Sequence, residues 1–242
     1  MSERPEVVLV TGASRGVGAA VAVGLARPGR HVVVNYREKE RRAAEVVDEV
    51  RAAGGDASAV RTDLCDDDAV AEMFDDIGRR FGGLDVLVLN ASGGLERRAA
   101  PDYAMRLNRD AQVRLARRAL TMMSDGGLVV FVTSHPAHFF GRTPAPIAGY
   151  APVAQSKHAG ELALRAMRDE FTSRRVGFVV VSGDLLEGSV AVRLLERIDP
   201  DGVAARRAAG PLPSVAEFAE AIVMAIERPP VTESTVYVGA CG

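Results

Sequence analysis

The stretch Val7-Val8-Leu9-Val10-Thr11-Gly12-Ala13-Ser14-Arg15-Gly16-Val17-Gly18 decides the fold of this chain. A short apolar run of the kind found in a buried strand passes directly into a glycine-rich turn, and residues 17–27 continue with the period of an amphipathic helix. A strand, a glycine-rich turn and a helix N-terminus in this order let backbone N–H groups approach a pyrophosphate. The stretch therefore predicts the first unit of a dinucleotide-binding sheet.

Composition and charge exclude several classes of protein. The chain has 242 residues and a formal net charge of −2, which gives no reason to expect a nucleic acid or an anionic membrane as partner. No apolar run approaches the roughly 20 residues that span a bilayer. The N-terminus does not have the pattern of a signal peptide, and Cys65 and Cys241 show neither metal-ligand spacing nor a disulfide framework. We therefore expect a cytoplasmic protein without a metal.

Strand-like and helix-like segments alternate from one end of the chain to the other. Predicted strands are residues 7–11, 31–35, 57–61, 84–89, 128–133, 176–181 and 235–238. Predicted helices are residues 17–27, 38–53, 67–81, 103–123, 152–173 and 215–227. This alternation predicts βαβ units in an α/β fold of the Rossmann type, a doubly wound parallel sheet of about seven strands in a single domain over residues 1–242.

Two stretches interrupt the alternation, residues 134–150 and residues 185–213. Each follows a predicted strand, so each should lie beyond the carboxyl end of the sheet, where ligands bind in open parallel sheets. Loops of this length in a compact domain are often functional. We expect both to form the substrate site.

The end of the second strand predicts the choice of cofactor. An NAD site usually has an acidic residue about 20 residues after the glycines, but here the strand ends Asn35-Tyr36-Arg37. Arg15 and Arg37 could form charge-assisted hydrogen bonds with a 2′-phosphate, which favours NADPH/NADP. Glu38 keeps a contact with the ribose of NAD open as the alternative.

The spacing Gly12-x-x-x-Gly16-x-Gly18 resembles the short-chain dehydrogenase/reductase family, and the resemblance continues along nearly the whole chain. Thr62-Asp63-Leu64, Leu89-Asn90-Ala91-Ser92-Gly93, Ser182-Gly183 and Tyr237-Val238-Gly239 match family segments, some in altered form. Glu187 stands where a cofactor-binding threonine is usual. The resemblance implies that the cofactor is held by Gly12, Ser14, Arg15, Gly16, Val17, Gly18, Asn35, Arg37, Asp63, Leu64, Asn90, Ala91, Ser92, Lys157 and Gly183.

The resemblance also implies a catalytic set from which one member is missing. Asn108 matches an asparagine that holds a water beside the catalytic lysine, and Ser134 matches the serine that orients the substrate. Lys157 matches the lysine of a Tyr-x-x-x-Lys pair, but Val153 stands at the position of the tyrosine. In the family that tyrosine protonates the carbonyl oxygen while hydride arrives from the nicotinamide. Valine has no proton to give, so the donor must be another group.

Four donors remain open. Tyr150 lies in the loop before the helix that Pro152 begins, and could swing into the site. His135, next to Ser134, has an ordinary pKa suited to proton transfer near neutral pH, whereas His138 is better explained by packing on Phe139 and Phe140. The fourth donor is a phenolic hydroxyl of the substrate itself, beside the ketone.

The expected function is NADPH-dependent reduction of a ketone, with Ser134, Asn108 and Lys157 as orienting residues and Tyr150 or His135 as candidate acids. A substrate that supplies its own proton would be a hydroxylated aromatic polyketide, and in this the chain resembles angucyclinone-type ketoreductases without the usual tyrosine. The alternative is a binding protein that senses NADP(H) without catalysis. Residues 103–123 and 152–173 resemble helices that pair in family dimers and tetramers, but their Ala- and Arg-rich faces would equally suit solvent.

Overall fold

Seven parallel strands form one sheet in the order β3-β2-β1-β4-β5-β6-β7. The computed structural model describes residues 4–95, 100–142, 147–230 and 234–240. The strands are β1 Glu6–Val10, β2 Arg30–Tyr36, β3 Asp56–Arg61, β4 Val86–Leu89, β5 Leu128–Ser134, β6 Gly177–Gly183 and β7 Ser234–Val238. The predicted parallel sheet of seven strands is confirmed.

Helices cover both faces of the sheet. They are α1 Gly16–Gly24, α2 Glu40–Ala52, α3 Asp67–Phe81, α4 Tyr103–Met105, α5 Gln112–Met122, α6 His135–His138, α7 Ala151–Ala166, α8 Arg168–Ser173, α9 Val190–Ile198, α10 Pro200–Ala208 and α11 Val215–Glu227. A π-helical turn, Arg106–Ala111, joins α4 to α5, and a 3₁₀ turn, Ala148–Tyr150, precedes α7.

The apolar strands alternate their side chains between two cores. On β2, Val33 enters the core packed under α3 and α5, while Val32 and Val34 enter the core under α1, α2 and α11. Because both faces of the strand are covered, its valines follow one another without polar residues between them. The chain leaves β1 towards β2 and returns to β4 on the other side, so a crevice opens beyond the carboxyl ends of β1 and β4.

The largest difference from the sequence expectation is the region of residues 185–213, which contains two full helices. Ser189 caps α9 by accepting a hydrogen bond from the Val192 amide at 3.1 Å, and Asp199 caps α10 through Gly202 at 2.9 Å. An acidic N-cap followed by proline at the first helical position, as in Asp199-Pro200, is a typical helix start.

The other predicted loop, residues 134–150, is shorter than expected because α6 follows β5 without a gap. Its residues 143–146 lie outside the described part of the chain. Within the described ranges, no helix combines the length and the apolar character needed to cross a bilayer.

Candidate active site

The glycine-rich turn leaves the N-terminus of α1 open towards the crevice. Gly12 and Gly16 have φ values of +63° and +58°, which residues with a Cβ rarely adopt. A Cβ on Gly16 would have no atom of the described chain within 4 Å. No side chain caps α1, and its first turn carries no acidic residue. Free N–H groups at the positive end of the helix dipole therefore face an open space, which suits an anion such as a pyrophosphate.

Buried polar side chains hold the turn in this shape. The Thr11 hydroxyl accepts hydrogen bonds from the amides of Asn90 and Ala91 at 2.9 and 3.0 Å, and Asn90 donates to the Thr11 carbonyl at 2.8 Å. Asn35, 2% exposed, accepts from the Gly12 amide at 3.1 Å. A Cβ on Gly18 would lie 2.5 Å from Asn90 Nδ2, so only glycine allows α1 to lie this close to β4.

The crevice forms a cleft of about 340 Å³ above the sheet. All the predicted cofactor-binding residues line it except Lys157 and Gly183. Further lining residues, which the sequence did not suggest for binding, are Tyr36, Lys39, Thr62, Tyr103, Leu107, Ser189, Val190 and Val215. Ser189 and Val190 begin α9, so the region after β6 reaches back over the cleft.

Arg37 and Glu38 meet at one end of the cleft. Arg37 forms an ion pair with Glu38 at 2.9 Å and donates a hydrogen bond to the Tyr103 hydroxyl, with its guanidinium 5.6 Å from the centre of the Tyr103 ring. Arg15 is exposed beside the turn. Glu38 is thus engaged by a guanidinium, and Arg15, Arg37 and Lys39 line this cleft, an arrangement suited to a phosphate.

Asn108 lies in the π-helical turn and ties two segments to α7. Its amide nitrogen donates to the Gly93 carbonyl and to the Ser156 hydroxyl, both at 2.9 Å. Its side-chain oxygen accepts from the Gly93 amide at 3.1 Å. A Cβ on Gly160 would lie 2.1 Å from the Asn108 carbonyl oxygen, so the two helices nearly touch. Such π-helical insertions are frequent at functional sites, and this one fixes the residue next to Lys157.

Ser134 and Tyr150 meet at the end of β5. The two hydroxyl oxygens are 3.0 Å apart, and the Tyr150 ring packs beside Ile147 and Leu185. Burial raises the pKa of Tyr150, while the hydrogen bond with Ser134 lowers it. The phenol is therefore protonated at neutral pH and placed against the serine. The sequence could not establish this contact, because the side chains are 16 residues apart and their distance depends on how the 3₁₀ turn packs.

Lys157 is buried on the face of α7 that meets the sheet. Burial lowers its pKa from 10.5 to about 8, and the nearby charge of Glu161 opposes that shift. Among the described residues none accepts a hydrogen bond from its ammonium group. Val153, one turn earlier, is also buried, and its side chain lies 3.1 Å from the position that a Cβ on Gly94 would take.

His135 begins α6 directly after Ser134, and its ring is buried and bonded within the protein. Its Nδ1 and the Ser182 hydroxyl are 2.8 Å apart, and the backbone carbonyls of Val238 and Gly239 also accept hydrogen bonds from the ring. Desolvation lowers the pKa of His135, so the ring is neutral at pH 7. These contacts link the ring to β6 and to the end of β7, and the role of His135 as a catalytic acid stays a prediction.

His138, Phe139 and Phe140 make contacts within the protein. The His138 ring meets the Phe139 ring edge-on, with 4.8 Å between the ring centres. The Phe139 ring stacks on Tyr237 at a centre-to-centre distance of 5.8 Å, and the Phe140 and His158 ring centres are 5.9 Å apart. The packing explanation for His138 is therefore supported. Phe139 and Phe140 have partners other than a flat ligand.

Gly183 acts in packing. A Cβ there would lie 2.5 Å from the Phe218 ring, so glycine allows α11 to approach β6. The next residue, Asp184, is 9% exposed and forms an ion pair with Arg206 of α10. Glu187 pairs with Arg207 of the same helix at 2.6 Å. These pairs hold α10 against the body of the sheet.

Residues 6–194 match the family described as short chain dehydrogenase. The chain belongs to this family. It is 31% identical over 203 residues to versicolorin reductase stcU of Emericella nidulans, covering 81% of the chain and 75% of that protein. It is 35% identical over 177 residues to hydroxynaphthalene reductase-like protein Arp2 of Metarhizium brunneum, covering 71% of the chain and 64% of that protein.

A solved structure extends the likeness to the whole fold. The angucycline C-6 ketoreductase LanV with bound NADP superposes with a TM-score of 0.79 at 27% identity, covering 98% of this chain and 95% of LanV. This short-chain dehydrogenase is therefore an oxidoreductase by family, with relatives that are named reductases.

Proposed function

We propose that this short-chain dehydrogenase is an NADPH-dependent ketoreductase that acts on a hydroxylated aromatic polyketide. The observation that carries the proposal is the pair of hydroxyls of Ser134 and Tyr150, 3.0 Å apart at the carboxyl end of β5. Two hydroxyl donors side by side suit a carbonyl oxygen that gains negative charge in the transition state.

The cofactor assignment rests on the charges around the cleft. The open N-terminus of α1 would hold the pyrophosphate, and Arg15 and Arg37 would hold the 2′-phosphate, with Arg37 exchanging Glu38 and Tyr103 for the ligand. Bound there, NADPH supplies the hydride. LanV, which has the same fold, binds NADP. Lys157, whose ammonium has no hydrogen-bond acceptor in the described chain, would receive the ribose hydroxyls.

Tyr150 is the first candidate for the proton donor in place of the residue expected at position 153. It is protonated at neutral pH and bonded to Ser134, so it can donate to an oxygen that Ser134 also contacts. Burial raises the pKa of Tyr150, and among the described residues no cation lowers it again. A phenolic hydroxyl beside the ketone of the substrate would offer a second proton at the same oxygen.

An apolar wall next to Tyr150 supports an aromatic substrate. Ile147, Leu185, Val192, Leu195 and Val203 form a buried cluster, against which Leu95, Tyr150 and Leu212 pack. The cluster joins the two regions that the sequence assigned to the substrate site. The relatives include a versicolorin reductase, a hydroxynaphthalene reductase-like protein and an angucycline ketoreductase, and their names favour a substrate with fused aromatic rings.

The test is NADPH oxidation with pairs of aromatic ketones that differ only in a hydroxyl beside the carbonyl. If the protein donates the proton, both members of a pair should turn over at similar rates. If the substrate donates it, turnover should be confined to the hydroxylated member. Tight NADPH binding without oxidation of any such ketone would contradict the proposal and favour the alternative of an NADP(H) sensor.

A further inference from the structure

Glu161 is a buried carboxylate one helical turn beyond Lys157. It is 3% exposed and lies on the same face of α7. His138 of α6 lies at 2.8 and 3.0 Å from its two oxygens through Nδ1, and Arg165 donates from Nε at 2.9 Å. A buried charge of this kind is costly unless it is paired and hydrogen-bonded, and His138 and Arg165 supply that pairing.

The two donors to Glu161 are themselves anchored on the last strand. His138 Nε2 and the Tyr237 hydroxyl are 2.9 Å apart, and a second nitrogen of Arg165 donates to the Thr235 hydroxyl at 2.8 Å. The carboxylate is therefore fixed between α6, α7 and β7. Neither Glu161 nor His138 lines the cofactor cleft.

We propose that Glu161 is a positioning residue that keeps Lys157 in its charged form inside the protein, ready for the ribose of the cofactor. The carboxylate acts through space along one turn of α7, and His138 and Arg165 hold it in place. The role at the ribose rests on the proposed function, whereas the effect on the charge of Lys157 does not.

The energetic argument follows from burial. Removing an ammonium group from water disfavours its charged form, and an opposite charge within reach of one turn favours it. Both effects act on Lys157, and burial dominates, which leaves its pKa at about 8. At that value the lysine is mostly charged at neutral pH, and loss of the carboxylate would lower the charged fraction there.

Other charged and titratable groups around Glu161 determine in which direction further substitutions should shift the pKa of Lys157. On α7, Arg165 adds positive charge on the side away from Lys157, and His158 bonds to the Ala137 carbonyl at 2.9 Å. On α6, His135 faces Ser182 and feels the charge of Asp184. On β7, the Tyr237 hydroxyl lies at hydrogen-bond distance from His138 Nε2.

The π-helical turn, which packs against α7, carries the charged side chains of Arg106, Arg109 and Asp110. Arg109 and Asp110 pair with each other there at 2.6 Å. Thus Arg165 is the cation whose removal should act most directly on the balance between Glu161 and Lys157.

The chain offers an unusually direct measurement, because it contains only two lysines, Lys39 and Lys157. Protein labelled with ¹³C-lysine gives one Cε resonance for each, and Lys39 is exposed and serves as the internal reference. The pH titration is followed between pH 6 and 10 without any ligand. Variants are Glu161→Gln, Arg165→Gln and Tyr237→Phe, the last leaving the carboxylate and both its donors in place.

We expect the Lys157 midpoint to fall by about one pH unit in Glu161→Gln, since an opposite charge at this range shifts a pKa by about 1–3 units. Arg165→Gln should move it in the opposite direction, because the variant removes a cation that pairs with Glu161. Tyr237→Phe should leave it unchanged. If Glu161→Gln fails to fold, the upward shift in Arg165→Gln carries the test. Equal Lys157 midpoints in the wild type and in the folded charge variants would overturn the proposal.

NADPH affinity, measured by fluorescence across the same pH range, separates this inference from the proposed function. In Glu161→Gln the affinity should decline at a lower pH than in the wild type, following the Lys157 titration. A shifted titration with unchanged affinity would keep the effect of Glu161 on the charge and reject the contact of Lys157 with the cofactor.

Discussion

The half of the sheet that forms the cofactor cleft and the half that carries Ser134, Tyr150 and Lys157 are built in different ways. In the first half the backbone makes the site, through glycine conformations and the asparagine hydrogen bonds that hold them. In the second half side chains from distant segments make it, and their contacts depend on how α6, α7, α9 and α10 pack. Backbone geometry is specified locally in the sequence, whereas side-chain contacts across segments are not.

This difference explains which parts of the protein could be predicted. The strands and the turn were predictable, because valine runs and glycine spacing determine local structure. The two full helices α9 and α10 were not predicted, because the residues that cap them, Ser189 and Asp199, are also common in turns. The contact between Ser134 and Tyr150 and the buried partners of His135 could not be predicted, because no local pattern specifies them.

The largest effect is expected at the side-chain half. Tyr150→Phe should lower kcat by about 10²–10⁴-fold on a ketone without a neighbouring hydroxyl, the usual contribution of a general acid. On the matched hydroxylated ketone the loss should be much smaller, because the substrate can donate. Steady-state kinetics on the pair decides, with NADPH affinity measured in parallel.

Unchanged kcat on both ketones would show that the hydroxyl pair at β5 is structural. A loss of NADPH affinity equal to the loss of activity would instead show that Tyr150 contributes to cofactor binding.

At the backbone half, Gly18→Ala should weaken NADPH binding by about 10–100-fold. The new Cβ would meet Asn90 Nδ2, the Gly12 carbonyl at 2.8 Å and Ala13 Cα at 2.9 Å, and two of these three are backbone atoms. Overpacking of this kind costs about 1–3 kcal/mol, and 1.4 kcal/mol corresponds to tenfold in affinity.

The matched control for that experiment is Gly29→Ala. Gly29 also has a positive φ, +81°, but it lies in the turn before β2 with open space around it. It should lose about 1–2 kcal/mol of stability while NADPH affinity stays at the wild-type value. Equal loss of affinity in both variants would mean that any strained glycine, and not the shape of the cofactor turn, determines binding.

Lys157→Met should separate the contribution of the ammonium group to activity from its cost in folding stability. Burial lowers the pKa of Lys157 from 10.5 to about 8, and at 1.36 kcal/mol per unit this corresponds to a cost of about 3 kcal/mol while the lysine is charged. The folded-state pKa is below the unfolded one, so the cost is fully present below pH 8 and is relieved as the pH rises towards 10.5.

Chemical unfolding should therefore show that Lys157→Met is more stable than the wild type at pH 7, and that the gain shrinks by pH 9.5. Lys39→Met, at the exposed lysine, should do neither. A variant at 157 that is less stable at pH 7 would show that the ammonium is well solvated or paired in the folded protein.

The smallest effect on activity is expected from His135→Gln, although His135 adjoins Ser134 in the sequence. Its ring bonds to Ser182 and to the backbone of β7, so the substitution should cost about 1 kcal/mol of stability and leave kcat near the wild-type value.

Desolvation lowers the pKa of His135, so the unfolded chain takes up the proton first as the solution is acidified. The stability that depends on a neutral His135 is thus present above the ordinary pKa near 6.5 and declines as the pH falls below it. Urea unfolding at pH 7 and pH 5 should show a smaller acid-induced loss in His135→Gln than in the wild type. A large fall in kcat with unchanged acid sensitivity would reverse this assignment, and would make His135, not Tyr150, the acid beside Ser134.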